Sequence, residues 1–158
     1  MDAMLLHTLY TVSVYLHVLA ACAWIGSMLF FSIVLVPVLR RPDQAAAAGP
    51  LVRLVGLRFR TFGWVCIGVL LVTGILNVGM RGVGLSMLAT GAFWADGFGR
   101  TLAYKLSAVL VVLALTGAHD VLSLRPQARR AASWLGRATL LASLVVVLFA
   151  VWLVRGMP

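Results

Sequence analysis

Charge is what this sequence has least of. Only 11% of its 158 residues are charged, with 4 acidic side chains against 13 basic ones. No Lys, Arg, Asp or Glu occurs from Ala3 to Leu39, from Thr61 to Met80 or from Ala138 to Val154. A further apolar stretch, Thr101 to Leu122, carries only Lys105 and Asp120. At 63% hydrophobic the chain is too apolar for a soluble domain. Cysteine is scarce too. Cys22 and Cys66 are the two, and they form no CxxC pair, so a disulfide framework is not indicated. A basic n-region is missing ahead of the first apolar run, which is also longer than an h-region, so no cleavable signal peptide is expected. No internal repeat is visible.

What remains is a set of four apolar runs. A helix needs about 20 such residues to cross a bilayer. The expected spans are residues 10–39, 62–80, 101–122 and 137–155, in a single transmembrane domain over 1–158. Short connections make neighbouring helices antiparallel. The expected fold is therefore an all-α, four-helix up-down bundle in a membrane.

The net charge of +9 does not indicate a nucleic-acid partner, because the basic residues flank the spans. Arg40, Arg41, Arg53, Arg58 and Arg60 follow the first run; Arg125, Arg129, Arg130 and Arg137 follow the third. These two connections lie on one side. The positive-inside rule puts them in the cytoplasm and both termini outside. Residues 51–60 alternate Leu and Val with Arg and read as a short amphipathic segment on the inner leaflet. Residues 81–100 are glycine-rich and loop-like, with Phe93, Trp94 and Phe98 as an interfacial belt.

Polar residues inside spans are the functional candidates. Positions seven and eleven apart share a helix face. On that basis His17, Trp24 and Met28 form one stripe, Cys66, Thr73 and Asn77 a second, and Lys105, Val112, Thr116 and His119 a third. At ~1.5 Å per residue, His17 and Lys105 lie ~10 Å from the outer surface and Asn77 within ~5 Å of it. Met28 and His119 lie ~27–30 Å in, with Cys66 at a similar level.

The inner layer of Met28, Cys66 and His119 offers thioether, thiol and imidazole, the types that select cuprous copper, with His17 as a further ligand. The outer layer suits a haem, with His17 on the iron and Lys105 on a propionate, Trp24 and Asn77 lining the site. Each residue has a plainer role beside this one. Met28, Cys66 and Trp24 pack as filler, Lys105 snorkels, His17 is a hydrogen-bonded core histidine, and His119 pairs with Asp120 at the boundary. No catalytic set stands out; an enzyme here would be a haem-dependent oxidoreductase.

The run HVLAACAWIGSMLFFSIVLVPVLRR, residues 17–41, resembles the first helix of the copper-resistance protein D family of bacterial inner-membrane proteins. GFGRTLAYKLSAVLVVLALTGAHD, residues 97–120, is similar to that family's Lys-bearing helix, and GVLLVTGILN, residues 68–77, to the helix between them. The resemblance implies a four-helix module linked to copper tolerance and uptake, with His17, Trp24, Lys105 and His119 at characteristic positions. A more distant similarity, His in helix one and Lys then His in helix three, is to the membrane protoporphyrinogen oxidases that bind haem b. Their first helix tends to end in an aromatic, Arg-containing stretch followed by His, where this chain has Val36–Pro37–Val38–Leu39.

Three functions follow as expectations. The first is copper binding or translocation, served by a periplasmic copper carrier. The second is a haem b redox protein with its own redox partner. The third is a cofactor-free subunit of a homo-oligomer or larger membrane complex, for which the small residues Ser107, Ala108, Ala114, Gly117 and Ala118 suit close helix contact.

Overall fold

The computed structural model describes residues 3–155, and within them all side chains but those of residues 44–48, 85, 126 and 129. Every element is helical. In order they are α1 (Ala3–Phe30), a π-turn (Phe31–Leu35), α2 (Val36–Leu39), a 3-10 turn (Pro42–Gln44), α3 (Ala45–Met80), α4 (Leu85–Leu88), α5 (Gly91–Ala95), α6 (Gly97–Ser123), a second 3-10 turn (Pro126–Ala128) and α7 (Arg129–Arg155). Four stretches are long and apolar enough to cross a membrane: Ala3–Leu39, Gly49–Met80, Gly97–Ser123 and Arg130–Arg155. Their outward faces carry large apolar side chains such as Ile33, Ile75, Leu110 and Val154. That is the surface a lipid solvent calls for and water does not.

The chain divides into two compact units, Met1–Val83 and Gly84–Pro158. Each is a helical hairpin. In the first, α1 and α3 run antiparallel: Tyr10 meets Arg81, His17 meets Thr73, and the tilted rings of Phe31 and Phe59 meet at 4.6 Å. One residue forward on α1 is thus one residue back on α3, and the level of Trp24 falls at Cys66. Both are buried, together with Ala20, Met28 and Ile67.

Two breaks shape this hairpin. Pro37 has no N–H to return to the preceding turn, and the helix widens just ahead of it. Val36 N–H reaches back to the carbonyl of Phe31 across the π-turn. At the other end Gly82 adopts φ +83°, a left-handed conformation open to glycine at no steric cost, and its N–H caps the carbonyl of Gly79 at 3.0 Å. Helix α3 is longer than the expected second span. Its 36 residues make ~54 Å of helix, against ~30 Å of hydrocarbon. The Arg-bearing segment 51–60 is therefore the leading end of the spanning helix rather than a separate surface piece.

In the second unit, α6 packs antiparallel on α7, with Tyr104 near Phe149 (5.9 Å) and His119 near Ala132. Thr101, Leu102, Val112, Ala132, Thr139 and Ser143 are buried between them. The hydroxyls of Thr139 and Ser143 bond back to their own helix, to the carbonyls of Leu135 (2.9 Å) and Thr139 (2.8 Å). Among the described residues of this unit, no buried side-chain nitrogen or oxygen lacks a partner. Residues 81–100, expected as loop or broken helix, hold α4 and α5. Asp96 caps α6 by accepting from Phe98 N–H at 3.2 Å. Trp94 Nε1–H donates to the carbonyl of Leu88 at 2.9 Å, and Phe93 lies edge-on to both Trp94 and Phe98. Gly99 is tight against this corner, since a Cβ there would overlap the carbonyl of Phe93.

Candidate functional site

His17 lies on α1 where the hairpin interface turns polar. Its Nδ1 is 2.7 Å from Thr73 Oγ1 on α3. That hydroxyl is also 2.6 Å from the carbonyl of Val69. A carbonyl only accepts, so the single hydroxyl proton goes to Val69. Thr73 then receives from His17, and the imidazole carries its proton on Nδ1. In a neutral ring the lone pair is then on Nε2. The ring lies across Gly74: a Cβ built there would sit 3.4 Å from Cε1.

Around this pair is a small polar cluster. Ser13 is buried, with Oγ 3.5 Å from the carbonyl of Thr73. Asn77, one turn beyond Thr73, has a buried Oδ1 that is without a hydrogen-bond partner among the described residues. Toward the end of the hairpin, Arg81 Nε donates to the Tyr10 hydroxyl at 3.2 Å.

Trp24, Met28 and Cys66 occupy the same interface further on, all buried. By the register, Cys66 is seven residues from the level of His17, ~10 Å along the axis, and about one turn from Met28. The hairpin thus separates the imidazole from the two sulfur groups into successive levels. Among the described residues no group of three or more His, Cys, Asp and Glu gathers as a metal cage.

The second hairpin holds the other two candidates. Lys105 is half-buried, two turns into α6. His119 Nδ1 is 2.8 Å from the carbonyl of Ala132, so it too carries its proton on Nδ1. Its ring lies 3.4 Å from a Cβ built at Gly136. Each hairpin therefore contains a histidine that donates across to the facing helix and rests on a glycine of that helix.

Sequence reasoning placed Thr73 on the right stripe but assigned it no role, and it missed Ser13 and Gly74. Ser13 stands one helical turn before His17, and Gly74 adjoins Thr73; those spacings were the available signal.

Comparison with known proteins changes the expected kinship. The model of a family described as a domain of unknown function (DUF4149) matches residues 19–132. A protein of Aquifex aeolicus (strain VF5), itself described as uncharacterized, is 32% identical over 143 residues, covering 87% of this chain and 90% of its own length. No solved structure matches. The expected membership of the copper-resistance protein D family, and the more distant similarity to protoporphyrinogen oxidases, are thereby overturned. Both rested on a few His, Lys and Trp positions in apolar helices, where shared composition alone makes unrelated spans look alike. The chain belongs to the DUF4149 family.

Proposed function

We propose that this protein handles copper within a bacterial inner membrane, holding or passing the cuprous ion along the first hairpin. The observation that carries the reading is the 2.7 Å contact between His17 Nδ1 and Thr73 Oγ1. A ring held through Nδ1 by a hydrogen-bond partner is the arrangement in which a neutral imidazole ligates a metal through its other nitrogen. Cys66 and Met28, buried further along, are the soft ligands suited to the reduced ion. On this reading the ion rests at two levels, His17 first and the sulfur pair next. Both termini are taken as lying outside. The nine basic residues in the connections 40–60 and 125–137 support that orientation. A periplasmic copper carrier is the matching partner.

A second reading uses the same oriented imidazole as an axial ligand of haem b. One experiment separates the readings. Protein purified in mild detergent is loaded with cuprous copper under reducing conditions, then analysed for metal and scanned in the visible. Copper retained by the native chain and lost from a His17→Ala, Met28→Leu variant supports copper handling. A Soret band that vanishes with His17→Ala moves the assignment to haem. Neither metal nor haem, with the stripe residues tolerant of Ala, leaves a cofactor-free subunit of a larger membrane complex.

A further inference from the structure

The polar groups of the first hairpin are not scattered. On α1, His7, Tyr10, Ser13 and His17 recur at three- and four-residue steps; facing them are Thr73 and Asn77 on α3, four residues apart, and Arg81, four further on and just past its end. The end of the hairpin opens into a cavity of about 220 Å³ lined by Leu6, His7, Tyr10 and Met80. Next along come Arg81 bonded to the Tyr10 hydroxyl, then Ser13 and the Oδ1 of Asn77, without a partner among the described residues, then His17 on Thr73. Beyond His17 the interface changes character. Ala20, Trp24, Met28, Cys66 and Ile67 fill it, all buried.

We propose that this file is a one-sided, water-filled passage that runs from the cavity at His7 and Tyr10 to the ring of His17 and is closed behind it by Trp24. The reason is the Asn77 carbonyl oxygen. A buried acceptor without a donor is costly, most of all in a membrane-spanning hairpin, and buried water is the common remedy where polar groups adjoin an opening. A water beside Asn77 donates to Oδ1 and has Ser13 as a neighbouring partner. Large apolar side chains past His17 offer water no such partners, so the file ends there. The passage gives the imidazole contact with one aqueous phase only. It does not depend on copper, and it stands if no metal binds.

The test is cysteine accessibility in reconstituted vesicles, in a Cys22→Ser background that keeps Cys66 as a deep control. A small, charged methanethiosulfonate is added to one face at a time. Ser13→Cys and Asn77→Cys are expected to react from the same face as Arg81→Cys, and at least ~100-fold faster than Cys66, since a thiol sealed in apolar surroundings is inert. If Arg81→Cys reacts while both of the others are as slow as Cys66, the passage does not exist. The unaltered protein supplies a second readout that no folding failure can confound. Magnetisation transfer from water is expected to reach the Asn77 side-chain amide and not the Trp24 indole N–H. An Asn77 amide as protected as the Trp24 indole overturns the proposal.

Discussion

Thr73 gives its one hydroxyl proton to the carbonyl of Val69 at 2.6 Å and receives the Nδ1 proton of His17 at 2.7 Å. The α3 backbone thereby sets, through a single side chain, that the α1 imidazole carries a proton on Nδ1. The relay needs a hydroxyl at position 73. Thr73→Ser is expected to keep it and Thr73→Val to lose it, leaving the imidazole without its fixed partner. On the copper reading, Thr73→Val lowers cuprous affinity by about 10–100-fold and Thr73→Ser by much less. A competition titration with a cuprous chelator measures both.

Gly74 sets the room available to the ring. A methyl at 3.4 Å from Cε1 is ordinary contact, so Gly74→Ala is expected to fold and leave the imidazole in place. A branched side chain fills the space the ring occupies. Gly74→Val is expected to move His17 off Thr73, read as loss of the hydrogen-bonded Nδ1 proton resonance while helical content by circular dichroism is kept.

Gly99 is a test of the fold rather than of the site. Its missing Cβ is what lets α6 begin against the carbonyl of Phe93. Gly99→Ala is expected to force the α5–α6 corner apart and cost about 1–3 kcal/mol, seen as a lower melting temperature in detergent. Gly97→Ala, two residues earlier with open space around it, is the matched control.

His119 bridges α6 to the start of α7 through the Ala132 carbonyl at 2.8 Å. His119→Ala is expected to weaken the second hairpin by about 0.5–2 kcal/mol, the range for one polar contact between membrane helices. His119→Asn, which retains an N–H donor, is expected to recover part of this. Thermal unfolding of the two variants side by side reads the difference.

The spans were legible because so few charges interrupt the sequence, and helical spacing alone put His17, Trp24 and Met28 on one face and Cys66, Thr73 and Asn77 on another. Trp24, Met28, Cys66 and Thr73 are buried between α1 and α3, and His17 faces Thr73 there. Three things were not legible. The start of α3 was hidden because its arginines suggested a surface segment, although nothing at residues 51–60 breaks the helix. The beds of His17 and His119 are glycines, Gly74 and Gly136, which carry no chemical signal of their own. Kinship misled because His and Lys spacing in apolar helices is a weak mark: it found a copper-resistance likeness where the match over residues 19–132 is to DUF4149.

The most direct measurement is the nitrogen-15 spectrum of His17 in the purified protein, taken without metal and then with cuprous copper under reducing conditions. The account requires a proton on Nδ1 and a lone-pair shift on Nε2 in the free protein, with copper moving the Nε2 signal and leaving the Nδ1 proton in place. A proton found on Nε2, or an Nε2 signal that copper does not move, would contradict it.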